Sequence, residues 1–144
     1  MALVYFDSSA LVKLVVDEPG TDLASALWDG CDAPLSSRLA FPEVRAALAA
    51  SHRNSDLTDD ELHSAQEMWD DFWAAVRPIE FTSVVEQRAG ELAGRRALRG
   101  ADAVHLASAL VVGSIELVVA VWDRRLRAGA LAANLSVAPS TLDD

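Results

Sequence analysis

The chain has 144 residues, enough for one domain with a substantial core. Its formal net charge of −10 argues against a broad basic surface that holds nucleic acid non-specifically, while leaving room for a few local arginines on a phosphodiester. A single cysteine, Cys31, excludes an internal disulfide and a cysteine-rich zinc site, and no apolar run approaches the length of a membrane span.

In chain order, residues 2–6 read as a strand too apolar to be half-exposed. Ser8 or Ser9 caps a helix through residues 10–16, which Pro19-Gly20 ends. A second helix covers about 21–29, and residues 32–36 form a second short strand. Ser36-Ser37 then opens a long helical stretch to about Asn54, with Pro42 near the first turn of its main segment. Thr58-Asp59-Asp60-Glu61 is a capping box that starts an amphipathic helix to about Val76. Residues 78–81 form a short strand, and Ser83-Val84-Val85-Glu86 is a second capping box for a helix to about Leu98, broken by Gly100. A further helix runs from Ala101 or Asp102 to about Val112 and ends at Gly113. The strand 117–121, a helix from Arg124 to Ala130 and a last strand at about 135–138 complete the chain. Strands alternating with helices predict an α/β fold with a mainly parallel sheet of about five strands. No repeat, linker or low-complexity stretch divides residues 1–144, so a single domain is expected. The segment before Asp7 has no basic region followed by a long apolar one, which points to a reduced, cytoplasmic setting.

The chemistry lies in four acids. Asp7 follows the apolar run Leu3-Val4-Tyr5-Phe6, and Asp123 follows the run from Leu117 to Trp122. Both stand at the carboxyl ends of predicted strands, where open α/β sheets bind ligands. Glu43 and Asp102 lie near the starts of two predicted helices. Carboxylates that converge repel: at roughly 5 Å and an effective dielectric of about 20, each pair costs about 3 kcal/mol. A hard divalent cation is the usual compensation. Each acid alone also has a bland explanation, as a helix cap or as a first-turn residue that suits the helix dipole. Ser9, two residues after Asp7, is placed to orient it or to hold a metal-bound water. His105 lies one turn after Asp102 in an otherwise small and apolar helix, and a satisfied structural histidine is the favoured reading. Arg124 and Arg125, after Asp123, and Arg99, before Asp102, are candidates for phosphate contacts, against the commoner role of solvated helix face. The stripe Leu62, Ala65, Trp69, Phe72, Trp73 and Val76 reads first as core, with a partner groove at Trp69 and Trp73 as the alternative.

Taken together these segments resemble the PIN-domain family, and within it the VapC-type toxins of bacterial toxin–antitoxin pairs. The resemblance rests on Asp7-Ser8-Ser9-Ala10-Leu11-Val12-Lys13-Leu14, on Ser36-Ser37 through Pro42-Glu43-Val44-Arg45-Ala46-Ala47-Leu48, on Gly100-Ala101-Asp102-Ala103-Val104-His105-Leu106-Ala107-Ser108-Ala109-Leu110, and on Trp122-Asp123-Arg124-Arg125-Leu126. They occur in the family's order along the whole chain. The resemblance implies a three-layer fold and an endoribonuclease with Mg²⁺ or Mn²⁺ at the acidic cluster. It also implies a homodimer held inactive by a cognate antitoxin. Asp7, Asp102 and Asp123 are then metal ligands, Glu43 a ligand or the group that orients the attacking water, and Ser9 a support for Asp7. Two residues before the last acid the family often carries threonine or serine; here the residue is Val121. A catalytically weak interaction module is the alternative reading, and a metal titration separates the two.

Overall fold

The structure is a computed structural model that describes residues 2–142. Five strands, β1 (Leu3–Phe6), β2 (Ala33–Ser37), β3 (Arg77–Ile79), β4 (Leu117–Ala120) and β5 (Ser136–Ala138), form one sheet in the order β3-β2-β1-β4-β5. Every neighbouring pair is parallel, with Leu3 opposite both Ala33 and Leu117. Parallel strands need long crossovers, and helices supply them. These are α1 (Ser8–Val15), α2 (Thr21–Gly30), α3 (Ala40–Arg53), α4 (Asp59–Ala75), α5 (Ser83–Arg95), α6 (Gly100–Val112) and α7 (Arg124–Ala132).

The period-two alternation of β1 builds the layers. Val4 and Phe6 face one side and pack with Leu11, Leu14, Val44, Leu48 and Trp69 from α1, α3 and α4. Tyr5 faces the other side, with Leu35, Leu106, Val119, Val121 and Leu126. A third apolar cluster joins α5 to α6 through Val85, Ala89, Ala103 and Ala107. The central strand is therefore covered on both faces, which is why its sequence is continuously apolar. On the second face α7 packs closely on α6: a Cβ at Gly129 would lie 3.3 Å from side-chain atoms of Leu106 and Leu98.

Several boundaries differ from the sequence expectation, some through local capping and some through tertiary contacts. Helix α1 starts with Asp7 as its cap rather than Ser8 or Ser9, and it stops at Val15, before Pro19-Gly20. Gly20 instead precedes α2 at φ 97°, where a Cβ would come within 2.8 Å of Trp122 Nε1. Ser36 and Ser37 belong to β2 and not to a helix; Ser36 is buried and donates to the Phe6 carbonyl at 2.6 Å. Helix α5 is capped by Thr82, which accepts from the Val85 amide, one residue before the expected box. It ends at Arg95, and Gly100 opens α6 instead of breaking α5. The capping box at Thr58 and Glu61 forms as read. Pro42 sits in the first turn of α3, where its missing amide hydrogen costs nothing.

Candidate active site

In a sheet of order 3-2-1-4-5 the chain leaves β1 in one direction through β2 and β3, and in the other through β4 and β5. The crevice at the carboxyl ends of β1 and β4 is the switch point where such folds bind ligands. A cavity of about 250 Å³ opens there, and Asp7, Glu43, Asp102 and Asp123 all line it.

Each acid is set by the start of a helix. Asp7 leaves β1 and caps α1, accepting from the Ala10 amide at 2.9 Å. Asp123 follows β4 and caps α7, accepting from the Leu126 amide at 2.9 Å. Glu43 and Asp102 stand in the first turns of α3 and α6. Four helix N-termini thus face one cavity, and their partial positive charges offset part of the repulsion among the carboxylates.

Burial differs sharply across the group. Asp7 is 2% exposed, whereas the Asp123 side chain is 31% exposed. Burial pushes the Asp7 carboxyl up to about 6; nearby His105 and the Ser9 and Ala10 hydrogen bonds oppose this, and Asp123 adds to it. Ser9 supports Asp7 through 2.7 and 2.9 Å contacts to its two oxygens, and Ser9 Oγ also accepts from the Trp122 amide at 3.2 Å. That single hydroxyl ties the end of β1 to the end of β4. Val121 turns away into the core and contributes no hydroxyl to the cavity.

His105 reaches Glu43 rather than Asp102. Its Nε2 lies 2.5 Å from Glu43 Oε1, and its Nδ1 lies 2.7 Å from the Tyr5 hydroxyl. An ionised Glu43 can only accept, so Nε2 carries a proton; in the neutral ring the Tyr5 hydroxyl then donates to Nδ1. Burial holds the Tyr5 phenol far above its usual pKa, so it remains a donor. The histidine is therefore satisfied and buried, as favoured from sequence, yet it also lines the cavity and fixes one of the acids. His105→Gln is expected to cost roughly tenfold in turnover through a loosened Glu43, within the 10–100-fold typical of such supporting contacts. Single-turnover cleavage measured beside Asp7→Asn checks this; equal losses would make His105 a direct participant.

The predicted arginines separate. Arg99 lines the acidic cavity and bonds Asp102 and Asp123. Arg124 lines a different cavity, with Pro19, Gly20, Trp122 and Pro139, and Arg125 lines a third, beside Arg95 and Arg96. Neither is among the residues that line the acidic cavity. Trp69 is also corrected as a partner contact: it is fully buried, stacks on Phe41 at 6.0 Å and donates to the Phe41 carbonyl. Trp73 is half-buried against the same pair. Tyr5 escaped the sequence reading; its only signal was a hydroxyl inside an otherwise apolar strand.

The donor set is all hard oxygen plus one imidazole, which suits Mg²⁺ or Mn²⁺ in chemistry. Among the described residues no three such groups close on one point at metal–ligand distances; the Oδ2 atoms of Asp102 and Asp123 both face Arg99.

A sequence profile for the PIN domain matches residues 4–132. The chain belongs to the PIN-domain family. Similar proteins include Ribonuclease VapC45 of Mycobacterium tuberculosis (strain CDC 1551 / Oshkosh) and Ribonuclease VapC49 of strain ATCC 25618 / H37Rv. Each is 69% identical over 143 residues and 99% of both chains. Among solved structures, FitAcB from Neisseria gonorrhoeae superposes with a TM-score of 0.71 at 17% identity, covering 93% of this chain and 95% of that one. At that identity the likeness is one of fold, and the PIN architecture extends over nearly the whole chain.

Proposed function

We propose that the protein is a divalent-metal-dependent endoribonuclease of a toxin–antitoxin pair, acting in the cytoplasm. The observation that carries this reading is the convergence of Asp7, Glu43, Asp102 and Asp123 on one cavity at the carboxyl edge of the sheet. Two 69% identical relatives named as ribonucleases support it. Asp7, Asp102 and Asp123 would hold Mg²⁺ or Mn²⁺, which supplies a nucleophilic water and neutralises phosphate charge when bound. Glu43, held by His105, is aimed to orient the attacking water and take its proton. Ser9 locks the Asp7 carboxylate toward the cavity, and Arg99 is the cation nearest to an incoming phosphate. Cleavage of RNA should require Mg²⁺ or Mn²⁺ and stop in excess chelator. Equal cleavage in chelator would overturn the metal mechanism.

The proposed inhibitor is a small antitoxin with a basic, amphipathic segment. Two cavities meet at exposed Met68 on α4. One is lined by Val15, Val16 and Leu57 with Asp17, Asp56, Asp60 and Glu61, and the other by Trp28 and Phe72 with Asp71. Neither has a lysine or arginine in its lining. An apolar floor with an acidic rim suits a cationic helix. A homodimer is part of the same proposal, with exposed Phe81 and Val84 at the head of α5 as candidate contacts.

A further inference from the structure

Arg99 is the one arginine or lysine among the residues lining the acidic cavity. It occupies the cap position of α6, where serine, threonine, asparagine or aspartate normally bonds the first amides. Its side chain makes no capping bond. The guanidinium turns into the cleft instead. Nε donates to Asp102 Oδ2 at 3.1 Å, and Nη2 donates to Asp123 Oδ2 at 3.3 Å. One planar fork thus joins the first turn of α6 to the cap of α7, across two carboxylates that would otherwise repel.

We propose that Arg99 is a resident counter-ion of the acidic site, and that a divalent cation loads by displacing it. This inference rests on the metal-dependent nuclease reading above. The two oxygens it holds are hard donors that a metal would also need. A guanidinium offers one charge and fixed directions, whereas a divalent ion brings two charges and accepts oxygens from several acids at once. The arrangement is also releasable. The Arg99 side chain is 63% exposed, so each arm of the fork is screened and weak. Displaced, the group remains tethered at the rim beside the position of an incoming phosphate. A purely structural clip between α6 and α7 makes the opposite forecast: removing it would splay the two acids and weaken metal binding.

The test is Mn²⁺ affinity of the RNA-free protein, by calorimetry and by the loss of the free-ion paramagnetic resonance signal, for wild type, Arg99→Gln and Arg99→Lys. Arg99→Gln should bind Mn²⁺ about three- to tenfold more tightly, since two screened ion pairs no longer compete. Arg99→Lys, which keeps a cation, should lie nearer to wild type. Arg99→Met, which keeps the aliphatic stem, provides the same comparison should the Gln variant lose stability. If wild type binds Mn²⁺ and neither neutral variant binds it more tightly, the counter-ion role is wrong and the metal site stands. If folded wild type and variants alike bind no Mn²⁺, the metal reading of the cleft fails and the proposal with it.

Discussion

Asp7→Asn is expected to lower RNA cleavage by more than about 100-fold while making the metal-free protein more stable. The loss follows from removing the charge of a proposed metal ligand at a site where electrostatics does most of the chemistry. The gain follows from burial. Folded, the Asp7 carboxyl is pushed up to about 6, against an ordinary value of 3.8. Below the lower value the group is protonated whether the chain is folded or not, and burying it costs no ionisation energy. Between the two, the folded state binds more protons than the unfolded chain, so stability falls as pH rises. Above about 6 the full penalty is present, on the order of 3 kcal/mol. Asparagine removes it and remains a good helix cap for the Ala10 amide. Thermal melts in chelator should therefore show the variant above wild type at pH 7.5, with the difference nearly gone at pH 4. A variant less stable than wild type at pH 7.5 would show that the Asp7 charge is compensated in the folded protein.

Trp69→Ala should destabilise the fold by about 3–5 kcal/mol, the range for truncating a fully buried tryptophan. The indole fills the space between α3 and α4, touches both Phe41 and Trp73, and donates to the Phe41 carbonyl. The truncation leaves a cavity and removes that hydrogen bond as well. That is a large part of the stability of a domain this size, and the urea midpoint should move accordingly. Antitoxin affinity in the remaining folded fraction should not change, because the side chain presents no surface. Met68→Glu, on the exposed side of the same helix, should do the reverse: little effect on the midpoint and at least about tenfold weaker antitoxin binding. If Trp69→Ala weakens binding and Met68→Glu does not, the docking groove lies elsewhere.

These two substitutions mark where the sequence was readable. Strands β1 and β4 announce themselves because strands buried on both faces must be continuously apolar, and their ends then place Asp7 and Asp123. The stripe on α4 was legible as a stripe. Which of its members is sealed depends on α3 lying across it, and local spacing does not encode that. The same limit explains β2: Ser36 looks like a helix-opening residue until the Phe6 carbonyl, 30 residues earlier, receives its hydroxyl. Helix α5 runs through Gly94 and stops at Arg95, short of the Leu98 expected from spacing; Leu98 beyond it packs near Gly129 of α7. In the site, the four acids were readable as types at strand ends and helix starts. Their supports were not, because the His105 partners are 100 residues away at Tyr5 and 62 residues away at Glu43.

The parallel pairing of β1 with β4 also sets a clock. The first strand is made well before its neighbour on the Asp123 side, which begins only at Leu117. Asp7 and Asp123 are 116 residues apart in a chain of 144. At roughly 5–20 residues per second of synthesis, the second half of the cleft arrives on the order of ten seconds after the first. Throughout that interval the nascent polypeptide owns acids but no crevice to gather them. A ribonuclease that grows on a machine built of RNA thus acquires its cutting edge only once β4 and Asp123 have been made.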